Sequence, residues 1–188
     1  MRRFAGAAAL MAAMWCGTAA WAADAENCKD HPLFSRMNNF EIHGCATTEF
    51  DSVAFPKPEL KEWDAPDNYQ AIEGKVHAIS YQLKEGATQV SALQIVRNFQ
   101  NAVKKDGGTI LGDYSGEVYP SLPETAVKYL GESPSGSSFD RYTTMTLTKD
   151  GTEFWIYLCA SEGDQDYMLL LVEKQEMKQE INVNPPKK

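Results

Sequence analysis

The chain has 188 residues, 26 of them acidic against 18 basic, for a formal charge of −8, and 43% are hydrophobic. That is enough material for a single domain with a proper core. The acidic balance works against nucleic acid and anionic membrane surfaces as partners, since both want a basic face.

Residues 1–22 read as a secretory signal peptide. Arg2 and Arg3 form the basic start, an alanine-rich apolar stretch follows to Ala20, and Ala20-Trp21-Ala22 is an A-x-A cleavage site. The stretch is interrupted by Gly6, Gly17 and Thr18 and falls short of the roughly 20 apolar residues a membrane span needs. No later segment approaches that length, so no transmembrane segment is expected after cleavage. Cys16 follows the bulky Met14 and Trp15 and is discarded with the leader. Losing two basic residues takes the formal charge to −10. The expected location is the periplasm, with outer-membrane association as a variant of it.

The segment NCKDHPLFSRMNNFEIHGC, residues 27–45, holds two cysteines, two histidines and an aspartate, and two readings compete for it. In the first, Cys28 and Cys45 form a disulfide. An oxidising compartment favours pairing among the three mature cysteines, and Cys159 sits in the apolar run FWIYLCA, where a cysteine behaves as a small buried hydrophobe. A loop of this length is worth about 3 kcal/mol when closed. In the second reading, Cys28, His31, His43 and Cys45 bind zinc. The ligand types suit it, although thiolates exported to this compartment tend to oxidise first. On the disulfide reading the segment becomes a flap laid on the sheet through Leu33, Phe34, Met37 and Phe40, no metal or other cofactor is expected, and the histidines are bystanders. Asp30, His31 and Arg36 form a candidate polar cluster, which a turn role for Asp30 accounts for equally well.

Residues 75–83 alternate as a strand, with His77, Ile79, Tyr81 and Leu83 on one face and Val76, Ala78, Ser80 and Gln82 on the other. A helix is written over residues 90–107: Ser91 and Gln94 make a capping box, Val90 and Ile95 a hydrophobic staple, and Gly107 a stop. Its apolar stripe reads Leu93, Ile95, Val96, Phe99, Ala102 and Val103, with Gln100 among the residues facing water. A strand at 109–114 leads into residues 115–138, rich in proline and glycine, which read as a surface excursion with one short helix over 124–130. Strands at 141–148, 152–160 and 167–173 follow, joined at Asp150-Gly151 and Gly163-Asp164.

The last two strands, FWIYLCA and YMLLLVE, are apolar on both faces and are expected at the sheet centre. The helix should cover one side and a loop, the N-terminal segment or a partner the other. Trp155, Tyr157 and Tyr167 are candidates for a ligand or partner face. Residues 175–178 read as a brief helical end and 182–188 as a flexible tail. The predicted fold is α+β: one domain over residues 23–181, an antiparallel sheet of five to six strands, and one main amphipathic helix packed on one face.

The ordered phrases CKDHPLFSRM, EFDSVAF, SALQIVRNFQNAVKKDGGTIL, TMTLTKDGTEFWI and LLLVEKQEMKQ resemble the module that precedes the peptidoglycan-binding domain in a group of OmpA-family envelope proteins. The resemblance covers residues 28–181. No OmpA-type half follows EMKQEINVNPPKK, so that half's cell-wall binding is not expected to carry over. The resemblance implies an envelope location and an accessory, non-enzymatic role, with an envelope protein or cell-wall component as partner. No catalytic residue is assigned, since nucleophile-elbow, β-lactamase, zincin and phosphate-loop signatures are missing from the chain. Two other expectations stand beside this one: a small-molecule or lipid carrier using the aromatic face, and a hydrolase using a histidine with Asp30.

Overall fold

The computed structural model describes residues 24–59, 65–115, 128–129, 141–161, 163 and 165–183. The signal peptide, most of the 115–138 excursion, Asp164 of the second turn, and residues 184–188 of the tail lie outside them; of the predicted short helix at 124–130 only Lys128 and Tyr129 are described, and both are helical. Among the described residues no helix is long and apolar enough to cross a membrane.

Six antiparallel strands form one sheet in the order β1-β2-β6-β5-β4-β3, and one helix packs against it, an α+β fold as the sequence predicts. The strands are β1 (Phe40–Pro56), β2 (Tyr69–Leu83), β3 (Thr109–Ser115), β4 (Arg141–Lys149), β5 (Thr152–Ala160) and β6 (Asp166–Lys174). The helix α1 (Ala92–Lys105) carries the chain from β2 to the far edge at β3. From there β3 to β6 return as a meander until β6 pairs with β2. The β4–β5 hairpin closes on Asp150 (φ 51°) and Gly151 (φ 82°), the left-handed pair a two-residue turn requires.

Helix α1 starts and stops where its sequence says. Ser91 Oγ accepts from the Gln94 N–H at 3.1 Å. At the other end Gly107, at φ 84°, donates to the Lys104 carbonyl, and Gly108 donates to that of Val103. This is the Schellman arrangement, which satisfies carbonyls the helix end would otherwise leave open.

The buried stripe is rotated from the predicted one. It consists of Ala92, Ile95, Val96, Phe99, Gln100 and Val103, while Leu93 is 38% exposed and Ala102 faces solvent. Gln100 is buried because the sheet offers it a partner: its Nε2 donates to Thr143 Oγ1 at 3.0 Å, and Thr143 donates to the Gly112 carbonyl at 2.8 Å. A register shift between Ile110 and Gly112 accompanies that contact.

Strands β5 and β6 are central and buried on both faces. On the helix side Ile156, Leu158, Tyr167, Leu169 and Leu171 meet Ile95, Val96, Phe99 and Val103 of α1, and Ile79 and Tyr81 of β2. Residues 24–39 cover the part of this face that α1 leaves open, through Cys28, Leu33, Phe34 and Met37. On the other side Tyr157, Cys159, Met168, Leu170 and Val172 join Val53, Phe55, Val76 and Ala78, with Tyr114 and Tyr129 packed over them. This second face, which the sequence leaves available to a partner, is buried by the chain itself.

Strand β1 is absent from the sequence-based set, and β2 begins six residues before its predicted start. Register shifts at His43 and at residues 49–50 break the alternation of β1. Beyond β6, residues 175–183 run without helix.

Candidate functional site

The flap is built around a disulfide. Cys28 and Cys45 are bonded, with Cα atoms 5.7 Å apart, and Cys159 is free and buried. The zinc set of Cys28, His31, His43 and Cys45 therefore does not assemble, because its sulfurs are bonded to each other and the bulged His43 is exposed on the edge strand.

The predicted polar cluster divides. Arg36 Nε donates to both oxygens of Asp30, at 3.1 and 3.0 Å, and its terminal nitrogens grip Asp24, whose Oδ1 also accepts from the Ile42 N–H at 2.9 Å. The Arg36 bond holds the Asp24 carboxyl below its ordinary range against a smaller opposing effect of burial. Tyr81 donates to Asp30 Oδ1 at 3.0 Å, and its ring stacks on Tyr167 at 4.4 Å. Burial pushes the Tyr81 phenol far above its usual value, so it remains a donor. These contacts fasten the flap and join Asp30 to Arg36 and Tyr81, while His31 makes its contacts elsewhere.

His31 turns the other way, onto the sheet. Its Nε2 lies 3.3 Å from Glu173 Oε1 and its Nδ1 accepts from the Leu33 N–H at 3.3 Å. His77 Nε2 lies 2.8 Å from the same Glu173 oxygen, and its Nδ1 is 3.4 Å from Thr47 Oγ1. The two imidazoles meet edge to face with centroids 4.7 Å apart, and the Phe154 ring stands 6.0 Å from His31. The tautomer with its proton on Nε2 in each ring accounts for these contacts: both donate to one carboxylate, and both Nδ1 atoms accept. Burial lowers the His31 pKa, more than its bond to Glu173 raises it. For Glu173 burial acts upward, but the hydrogen bonds from His31 and His77 together outweigh it and the net shift is downward.

The register explains the meeting. Thr47 of β1 pairs with His77 of β2, while Glu173 of β6 sits opposite Lys75 of β2 and Phe154 of β5, diagonal to His77. Cys45, two residues before Thr47, pairs with Ile79 on the same face. The disulfide there brings Cys28 over this patch, and His31, three residues on, caps it. The order carboxylate, imidazole, hydroxyl matches a nucleophile relay, but Thr47 Oγ1 at 3.4 Å is beyond the usual reach of such a bond.

The aromatic candidates do not share a face. Trp155 and Tyr157 lie on the second face, where Trp155 packs against Phe55, and Tyr167 lies on the helix side between Tyr81, Phe40 and Phe99. Tyr157 and Tyr167 are completely buried. Residue parity separates them: paired positions of β5 and β6 share a face, and Tyr167 stands opposite Ala160.

A cleft of about 650 Å³ separates the flap from α1. Residues 33–39 form one wall, Gln94, Asn98, Ala102 and Lys105 the other, and Phe99 and Leu147 the floor. Neither this cleft nor the pairing of His77 with Glu173 is among the sequence-based candidates. The available signal for the second is a histidine on a regularly alternating strand and a glutamate closing the last strand, and only the pairing register brings them together. No protein-family model and no curated protein matches the chain, so its likeness to OmpA-associated modules rests on the quoted phrases alone.

Proposed function

We propose that this chain is an exported accessory domain of the cell envelope that acts by binding, and that it takes an extended peptide segment of another envelope protein in the cleft between flap and α1. The cleft carries this reading. It combines an apolar floor of Phe99 and Leu147 with side-chain amides from Asn38, Asn39, Gln94 and Asn98, and it has Arg36 on one wall and Lys105 and Asp106 on the other. Polar groups make up more of the lining than apolar ones, which suits the hydrogen-bonding backbone of a peptide better than an apolar small molecule. From Gln94 to Lys105 the α1 wall runs about 16 Å at 1.5 Å per residue, room for about five residues of extended peptide. The signal-like leader and a disulfide that suits an oxidising compartment support the location. The buried aromatics speak against the carrier reading, and Asp30's bonds to Arg36 and Tyr81 speak against the hydrolase reading.

Photo-crosslinking in intact cells tests the proposal. A crosslinker at position 98 should capture a discrete envelope protein, and the same probe at exposed Glu49 of β1, which does not line the cleft, should not. Ala102→Trp, which fills the cleft from an exposed position, should abolish capture without lowering Tm. Equal capture from both probe positions, or capture that survives Ala102→Trp, would sink the idea.

A further inference from the structure

The cluster of His31, His77 and Glu173 is separate from the cleft and has chemistry of its own. We propose that His31 Nε2, His77 Nε2 and a Glu173 carboxylate oxygen bind one divalent transition cation of the zinc class, which ties the flap to β2 and β6. The three ligand atoms lie within 4.8 Å of one another. Glu173 Oε1 is 2.8 Å from the His77 nitrogen and 3.3 Å from that of His31. Tetrahedral zinc, with bonds of about 2.0–2.1 Å, sets its ligand atoms roughly 3.3 Å apart, so even the widest pair is within about 1.5 Å of that arrangement.

The donor set selects the ion. Two imidazoles and one carboxylate suit Zn²⁺, Ni²⁺ or Cu²⁺, whereas Ca²⁺ and Mg²⁺ take oxygen cages. Three protein ligands leave a fourth position for water or an incoming group. The apo hydrogen bonding also fits, because two N–H donors converge on one carboxylate oxygen and a cation can replace both at once. The carboxylate then gains a positive partner, and each imidazole keeps one proton, moved through solvent from Nε2 to Nδ1. For His77 that proton faces Thr47 Oγ1, 3.4 Å away, a hydroxyl that would accept it and serve as an outer-shell partner once a rotation of either side chain shortens the contact. The Phe154 ring supplies an apolar wall beside His31. Thr47 is exposed and Glu173 half-exposed, which leaves an entry path.

At His31 the exchange has a cost with a readable consequence. Its Nδ1 now accepts from the Leu33 N–H. A proton arriving on Nδ1 opposes that N–H, so metal binding must release the Leu33 amide and shift the turn at residues 31–33. A site that merely attracts ions at the surface would leave this amide alone.

The experiment uses the mature chain stripped with a chelator and titrated calorimetrically with Zn²⁺, with Co²⁺ as a spectroscopic probe and hydrogen exchange at Leu33 followed in parallel. Expected are one Zn²⁺ per chain, a tetrahedral Co²⁺ spectrum, and faster Leu33 exchange on binding. His77→Ala and Glu173→Gln, checked for native circular dichroism, should weaken binding by more than the roughly 10- to 100-fold that loss of an outer-shell partner costs. His43→Ala should bind as wild type does. The Leu33 readout in the wild-type chain keeps the test decisive if a variant fails to fold. Absence of saturable binding at about 100 μM Zn²⁺, in the range of weak sites, overturns the proposal. So does saturable binding that leaves Leu33 exchange unchanged, or that His77→Ala and Glu173→Gln both leave intact.

Discussion

Opening the Cys28–Cys45 bond, by reduction or by the pair Cys28→Ser and Cys45→Ser, isolates what the crosslink contributes beyond the flap's other contacts. The bridged residues are 17 apart. In the chain-entropy model such a loop removes about 10.5 cal/mol/K from the unfolded ensemble, or about 3 kcal/mol at 25 °C. The folded flap loses little besides the bond. It keeps Arg36 on Asp24 and Asp30, Tyr81 on Asp30, the Met37 N–H on Tyr167 at 3.3 Å, and Phe34 against Phe99. The loss should therefore appear as a change in the unfolded state, with the native near-ultraviolet spectrum retained. Urea unfolding with and without reductant measures it directly, since Cys159 is free and reduction acts on one bond. With a urea m of about 2 kcal/mol/M, the midpoint should fall by about 1.5 M. A loss below about 1 kcal/mol at constant m would refute the chain-entropy reasoning. An altered native spectrum on reduction would refute the claim that the remaining contacts hold the flap.

Two further perturbations address the sheet. A methyl group at Gly74 would lie 2.0 Å from the Glu173 carbonyl oxygen, so Gly74→Ala must part β2 from β6; its expected cost of about 2–3 kcal/mol lowers Tm by roughly 5–10 °C. Gly44→Ala, whose new carbon would meet only the Ser80 hydroxyl at 3.3 Å, is the matched control and should change Tm far less. Asp51 has its pKa held down to about 2 by its bonds to Lys128 and Tyr129 and to the Ser52 N–H. A depressed carboxylate contributes stability that is present above its unfolded pKa and lost as pH falls through the folded one. Asp51→Asn should therefore flatten the stability profile between pH 4 and about 2, and parallel profiles for variant and wild type in acid unfolding would count against the interaction.

The parts of the fold legible in the sequence are those where local chemistry and tertiary structure agree. Ser91, Gln94 and Gly107 mark α1 because caps act within a few residues, and Asp150-Gly151 marks a hairpin because the turn alone demands left-handed backbone. The faces of β2 follow from strict alternation, so His77 was correctly placed beside Ile79 and Tyr81. Strand β1 was lost because bulges at His43 and at residues 49–50 shift its period, and a pattern search depends on an unbroken period of two. Gln100 was misplaced because its partner Thr143 is 43 residues away, beyond any helical pattern. The Trp155, Tyr157 and Tyr167 face failed for a different reason: pairing register across β5 and β6, which sequence does not print, decides whether residues on neighbouring strands share a side.

Register also governs the histidine site, and the flap gives that site its third member. His77 and Glu173 would stand diagonally on one face of β2 and β6 in any chain with this pairing, and by themselves they make an ordinary pair of imidazole and carboxylate. His31 comes from the flap, which is pinned on one side where Cys28 is bonded to Cys45, whose position on β1 is two residues from Thr47 and therefore on the same face. Arg36, gripping Asp24 and Asp30, then fixes the flap from its other end. A crosslink placed elsewhere on β1 would stabilise the chain comparably, because the entropy depends on loop length rather than on where the loop lands. It would not set a third ligand over the pair. The Cys28–Cys45 position thus joins stability to chemistry: the bond and Arg36 hold His31 from two sides, so Zn²⁺ affinity should fall further when Arg36→Ala is combined with reduction than under reduction alone, which leaves the flap in place.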